Sequence, residues 1–223
     1  MSFLADNIEL VESAFGLACL LVCTILVFVK RTWPRGDIRL FARGFLGTLL
    51  LGDTYWAVFA FVFGHTPQYF YGGELAWWAS ELFLVLLVIE VYCQESKLPI
   101  HPAAWIGPVA VAALTVWFIV ASGGALFNIL MGFAMSGASL FSLSALFRFK
   151  KDRENGIERH FGLYLAVLSF VVLEYTIWSL SVLDSSVSIA NPYYWFSFVM
   201  YLTVIFTTAA ILRLGKDGDG GDD

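Results

Sequence analysis

The sequence has few charged residues and almost no cysteine, and each shortage excludes a class of protein. Asp, Glu, Lys and Arg make up 14% of the 223 residues and hydrophobic residues 59%, which is too apolar for a water-soluble domain. Three cysteines are too few for a disulfide framework, and we interpret them as small apolar residues within helices. There is no Walker loop, dinucleotide fingerprint or metalloprotease helix motif.

Long apolar runs take up most of the chain instead. A helix needs roughly 20 apolar residues to cross a bilayer, and seven such runs occur, at about 9–30, 40–64, 74–94, 102–121, 125–147, 160–183 and 193–212. The first run is flanked by acids rather than by the basic start of a cleaved signal peptide, so we count it as helix 1. The sequence predicts an all-α, polytopic membrane protein. Residues 1–8 form its N-terminal segment, 9–214 one seven-helix domain and 215–223 an acidic tail.

The basic residues predict the orientation of these helices. With seven spans, all thirteen Lys and Arg fall on one side of the membrane: Lys30, Arg31, Arg35, Arg39, Arg43, Lys97, Arg148, Lys150, Lys151, Arg153, Arg159, Arg213 and Lys216. Positively charged loops stay cytoplasmic, so we expect the N-terminus outside and the C-terminus inside a bacterial cytoplasmic membrane. Membrane orientation by itself explains the basic residues of these loops, so we predict no binding to nucleic acid.

The opposite surface carries acids only, which favours the approach of cations. These acids are Asp6, Glu9, Glu12, Glu74 and Asp184. The histidines His65, His101 and His160 lie at helix ends on both sides of the membrane, which excludes a three-histidine metal site. We therefore predict neither a metal nor a cofactor.

Three further acids lie within the predicted spans, where an ionised carboxylate costs about 2.5–3.5 kcal/mol on insertion scales. They are Asp53 in helix 2, Glu81 in helix 3 and Glu174 in helix 6, and no Lys or Arg lies at matching depth. Each has a tryptophan within one turn on its own face: Trp56, Trp77 and Trp178 respectively. We predict that these six residues form a ligand-binding site. A fourth acid, Glu90, lies near the cytoplasmic end, within reach of Lys97 or solvent.

Carboxylates and aromatic rings together suit a cation. The first hypothesis is therefore a protein that binds or transports a small cationic or polar molecule, with protons as the competing or coupled ion. The simpler interpretation is that each acid is protonated and bonds a Ser, Thr or Tyr across a helix interface.

Two further alternatives stay open. One is a lipid-acting, hydrolase-like membrane enzyme with Asp53 as acid or base, although the sequence contains no catalytic motif. The other is a sensor or accessory subunit whose loop 149–160 docks a soluble or membrane partner. A homo-oligomer is also possible.

Short fragments resemble known membrane proteins without defining a family. Leu51-Gly52-Asp53, Phe63-Gly64-His65 and Gly137-Ala138-Ser139-Leu140 resemble parts of lysoplasmalogenase-type hydrolases. The spacing from Asp53 to His65 is shorter than in that family, however, and helix 5 has no acid to partner Asp53. Helix 7 also lacks the lysine that a rhodopsin-type retinal protein requires.

The predicted orientation is testable with paired reporter fusions. Green fluorescent protein fused after Asp223 should fluoresce, and alkaline phosphatase at the same position should be inactive, because basic loops hold that end in the cytoplasm. Fusions after Gly123, in the hairpin between helices 4 and 5, should show the reverse pattern. Phosphatase activity at Asp223 would contradict the orientation.

Overall fold

The structure is a computed structural model that describes residues 7–63, 71–95, 99–148, 160–184 and 186–214. Within these ranges every regular element is helical. The seven long helices are α1 (Ile8–Val29), α2 (Gly36–Val58), α3 (Tyr71–Glu95), α4 (Ile106–Ser122), α5 (Ala125–Arg148), α6 (Phe161–Leu183) and α7 (Pro192–Arg213). A π-helical turn, Phe59–Phe63, extends α2, and a 3₁₀ turn, Pro102–Trp105, precedes α4. The predicted seven-helix architecture is confirmed, whereas the loop 149–159, His65, Lys97 and the tail 215–223 lie outside the described residues.

All seven helices are long and apolar enough to cross a bilayer. Their outward faces carry large apolar side chains that are mostly exposed, such as Val120 (81% exposed) and Phe133 (77% exposed). In water such a belt would be unstable, but it matches the hydrocarbon of a membrane. The chain is therefore a multi-pass membrane protein.

Six of the helices form a closed ring. The neighbours around it are α1, α2, α3, α5, α6 and α7, and α7 packs back onto α1. Helix α4 lies outside this ring, against α5 and, less extensively, α6. The α4–α5 hairpin turns through Gly123 and Gly124, whose φ angles of 79° and 62° favour glycine. Helices α4 and α5 are therefore antiparallel neighbours.

The end of the bundle where α1 and α7 finish is held together by Lys30. Its Nζ donates hydrogen bonds to the backbone oxygens of Ile211 (3.3 Å) and Leu212 (2.9 Å) at the end of α7. The ammonium also lies 4.5 Å from the ring centroid of Trp33. At the same end Arg35 forms an ion pair with Glu90 at 3.3 Å. Glu90 thus has a partner in Arg35, while Lys97, which the sequence placed within its reach, lies outside the described residues.

Glycines allow α2 and α3 to pack closely. A methyl group at Gly44 would lie 2.6 Å from ring carbons of Phe83 in α3, and one at Gly52 would overlap the indole of Trp77. Gly47 differs, because its nearest neighbour atoms are 3.8 Å away on Phe28. The close approach of α3 to α2 therefore depends on Gly44 and Gly52.

These contacts predict opposite effects for the same substitution at two places in α2. Gly44→Ala should lower the melting temperature of the detergent-purified protein, because overpacking costs about 1–3 kcal/mol. Gly47→Ala makes only ordinary van der Waals contact with Phe28 and should leave the melting temperature unchanged or raise it, since alanine favours a helix over glycine by about 1 kcal/mol. Equal shifts for both variants would contradict the packing described here.

Candidate functional site

A cavity of about 340 Å³ lies inside the helix ring. It is lined by α1, α2, α3, α6 and α7, and neither α4 nor α5 contributes a described residue. The lining extends from Tyr193 in the first turn of α7 to Val204 near the middle of that helix. The cavity therefore occupies the half of the bundle in which α1, α3 and α7 begin. We call this end the N-terminal face.

All six residues of the predicted ligand-binding site line this cavity. They are Asp53, Trp56, Trp77, Glu81, Glu174 and Trp178. The helices thus bring together side chains that are up to 125 positions apart in the sequence. Their role in ligand binding stays a prediction.

Asp53 accepts hydrogen bonds through both of its carboxylate oxygens. Its Oδ1 accepts a hydrogen bond from the Trp77 indole at 2.8 Å, and its Oδ2 accepts one from the Tyr201 hydroxyl at 2.9 Å. A methyl group at Gly52 would overlap Trp77, and one at Gly16 would overlap Tyr201. Glycines in α1 and α2 therefore make room for both donors.

Two of the three tryptophans donate hydrogen bonds to acids of the cavity. Trp77 precedes Glu81 by one turn of α3, yet its N–H bonds Asp53 on the neighbouring helix. Trp178 does bond the acid on its own helix, since its Nε1 donates to Glu174 Oε1 at 2.9 Å. Trp56 lines the cavity with its ring centroid 6.0 Å from that of Trp77. Residues on the same helical face can thus have partners on different helices.

Glu81 is deeply buried and incompletely bonded. The residue is 3% exposed, and its Oε2 has no hydrogen-bond partner among the described residues. A buried polar atom without a partner is unfavourable by roughly 1–3 kcal/mol. Glu81 lines the cavity, so a bound molecule that reached this oxygen with an N–H or O–H group could satisfy it.

The position of Glu12 differs from the prediction made from the sequence. It was placed among the acids of the outer surface, but it is 7% exposed and lines the cavity. Glu12, Gly16, Leu20, Cys23 and Val27 form the buried stripe of α1. Their spacing of three or four residues was present in the sequence and could have identified Glu12 as inward-facing.

Helix α7 contributes residues that sequence reasoning missed. Tyr193, Ser197 and Tyr201 line the cavity at intervals of four residues. Aromatic residues at the start of a membrane helix are also typical of the belt at the membrane interface, so the sequence pattern alone did not identify this inward stripe. Tyr175, beside Glu174 in sequence, instead lies 3.1 Å from the Thr115 hydroxyl on α4 and does not line the cavity.

The charge of the cavity has one sign only. Its described lining includes Glu12, Asp53, Glu74, Glu81 and Glu174 but no Lys, Arg or His. Three pairs of these acids lie close enough for their charges to interact. The pairs are Glu12 with Asp53, Asp53 with Glu174, and Glu174 with Glu81. No three Asp, Glu, His or Cys side chains of the described chain are grouped to chelate an ion. The acids are therefore distributed around the cavity wall.

The fold and the cavity together define a class: a seven-helix membrane protein with an acidic, aromatic cavity inside a ring of six helices. No protein-family model matches the chain, and comparisons with curated proteins and with solved structures found no match either.

The hydrogen bond from Trp77 gives a testable prediction. Trp77→Phe keeps an aromatic ring but leaves Asp53 Oδ1 without this donor, so the protein should lose about 1–3 kcal/mol of stability. Trp78→Phe makes the same chemical change one position along α3, at a residue that does not line the cavity. Thermal unfolding in detergent should show a clearly larger loss for Trp77→Phe. Equal losses would show that the bond to Asp53 contributes nothing measurable.

Proposed function

We propose that this protein binds a small organic ammonium ion in the cavity. The observation that carries the proposal is the set of inward-facing acids with no basic residue in the described lining. Removing carboxylates from water without a counter-charge is unfavourable. A cation entering the cavity would supply the missing charge.

The unpartnered atoms favour a cation that carries N–H groups. Glu81 Oε2 and Ser13 Oγ both belong to buried residues of the cavity wall, and neither has a hydrogen-bond partner within the described part of the chain. A primary or secondary ammonium could donate to them, whereas a quaternary ammonium could not. These two atoms therefore favour a protonated amine.

The walls and the size of the cavity agree with this ligand class. Indole rings of Trp56, Trp77 and Trp178 lie among the acids, and each cation–π contact is worth about 0.5–2 kcal/mol. A volume of about 340 Å³ lies at the lower end of the range for small-molecule sites, roughly 300–1,000 Å³. Both features fit a small metabolite rather than a lipid or a peptide.

Transport of this ion is favoured by the arrangement of the helices. Helices α1–α3 and α5–α7 make up the two halves of the ring, with α4 outside as the link between them. Asp53 and Glu174 lie on the second helix of each half, and each accepts a hydrogen bond from an indole. Internal repeats of this kind, with the binding site between them, are common in transporters.

The cavity ends at an aromatic contact between the same two helices. The rings of Phe45 in α2 and Phe170 in α6 meet edge to face, with their centroids 5.9 Å apart. Phe170 lines the cavity, and Phe45 is completely buried. Passage across the membrane would require α2 and α6 to separate here, and protons competing for the carboxyls could be coupled to that movement.

The proposal predicts ligand-dependent stabilisation. Alkylamines should raise the melting temperature of the purified protein by mass action, which gives about 2.7 kcal/mol at 100 times the dissociation constant. The effect should disappear in Glu81→Gln, which removes a cavity acid. It should persist in Glu90→Gln, which changes an acid of the same helix that pairs with Arg35 outside the cavity.

Two outcomes would count against the proposal. If no amine stabilises the wild-type protein while Asp53→Asn and Glu174→Gln simply melt lower, the acids act as structural links between helices. If Glu81→Gln responds to amines as strongly as Glu90→Gln does, the binding site lies elsewhere. If an amine does stabilise the wild-type protein through the cavity, uptake of that amine into reconstituted vesicles would separate transport from binding alone.

A further inference from the structure

Another hollow lies on the outer side of the ring, between α4 and α6. Its volume is about 380 Å³. It is lined by residues between Ile106 and Leu114 of α4 and between Leu168 and Ser179 of α6, together with two residues of α5. Ile106 is 65% exposed, and Val172, which lines the α6 side, is 58% exposed. The hollow therefore opens outward, and we call it the lateral groove.

The lateral groove forms because α4 packs closely on α5 and less extensively on α6. A methyl group at Gly107 would lie 2.8 Å from atoms of Leu143 and Ser139, so α4 and α5 are in close contact there. Helix α4 reaches α6 farther along, where the hydroxyls of Thr115 and Tyr175 are 3.1 Å apart. The groove thus lies between three helices that are held in fixed positions.

The polar chemistry of the lateral groove differs from that of the cavity. Its described lining contains no Asp, Glu, Lys, Arg or His. The hydroxyls of Ser139, Thr176 and Ser179 donate to backbone oxygens of their own helices at 3.0, 2.7 and 2.6 Å. The Tyr175 hydroxyl has its partner in Thr115. The described lining offers a polar ligand neither a charge nor an unpaired hydroxyl, so an apolar occupant fits it best.

The surroundings and the size of the groove specify this occupant further. All three helices are long and apolar enough to cross a bilayer, so the groove opens onto hydrocarbon. Its stretch of α6, from Leu168 to Ser179, is about 17 Å long at 1.5 Å per residue. A helix of that length and roughly 10 Å in diameter would fill roughly 1,300 Å³. The groove is too small for a helix of another protein, whereas a single hydrocarbon chain is much narrower.

We propose that the lateral groove binds one acyl chain of a bilayer phospholipid. Lipid tails are as apolar as the groove, so van der Waals contact rather than the hydrophobic effect favours this binding. A chain in the groove touches three helices, whereas a chain on one outward-facing helix touches only that helix. The bound chain fills the space between α4 and α6. It thereby fastens to the ring the helix that links its two halves.

The test uses two exposed alanines of α4 that differ in their position. Ala110 lines the lateral groove and Ala112 does not. Ala110→Phe should weaken the binding of dioleoyl phosphatidylglycerol to the delipidated full-length protein on the order of tenfold, because its ring replaces roughly ten van der Waals contacts of the chain. Ala112→Phe makes the same chemical change outside the groove and should bind like the wild type. Native mass spectrometry of the titrated protein counts the bound phospholipid.

A further variant makes the test independent of the folding of Ala110→Phe. Val172→Trp fills the groove from α6 and should weaken phospholipid binding in the same way. Equal affinity of Ala110→Phe and Ala112→Phe, or no phospholipid bound to the wild type, would overturn the proposal. A dimer that Ala110→Phe alone dissociates would also overturn it, because the groove would then be an interface between copies. Amine binding in the cavity should be unchanged in both α4 variants, which separates this test from that of the proposed function.

Discussion

The Asp53 carboxyl joins three helices inside the membrane, and the arrangement of the cavity depends on this junction. Its two oxygens accept hydrogen bonds from Trp77 of α3 and Tyr201 of α7. In hydrocarbon no water is present to satisfy such a group, so the protein itself must supply the donors. Gly52 and Gly16 leave the space in which the two aromatic side chains approach. The junction links α7 to α2 across the inside of the ring.

The ring interior is filled on one side of this junction and hollow on the other. Toward the end that carries Lys30 and Arg35, completely buried residues such as Phe45, Leu84 and Leu87 form part of the apolar core. Toward the N-terminal face, acids and aromatic side chains line the cavity. The interior of the ring thus has an apolar packed half and a half that contains a polar cavity. A bilayer protein can accommodate this combination because polar groups face inward while apolar side chains contact lipid.

The predictions from sequence succeeded where one-dimensional information was sufficient. The seven spans follow from the lengths of the apolar runs, and the depth of Asp53, Glu81 and Glu174 follows from their positions within those runs. The same reasoning misplaced Glu12, because an acid near a helix end fits a surface position as well as a buried one. It could not show that Trp77 bonds Asp53, because spacing along one helix gives no information about a neighbouring helix.

The sequence by itself determined the number of membrane helices, their apolar outward faces and the presence of acids at membrane depth. Only the tertiary structure decided that α4 lies outside the ring, that Glu12 and Tyr201 face the same cavity as the predicted acids, and that Trp77 bonds Asp53. The physical reason is geometric. A helix rises about 1.5 Å per residue, so position in the sequence sets depth. The rotation of each helix and its neighbours in the ring are set by side-chain packing between helices, which involves residues far apart in the chain.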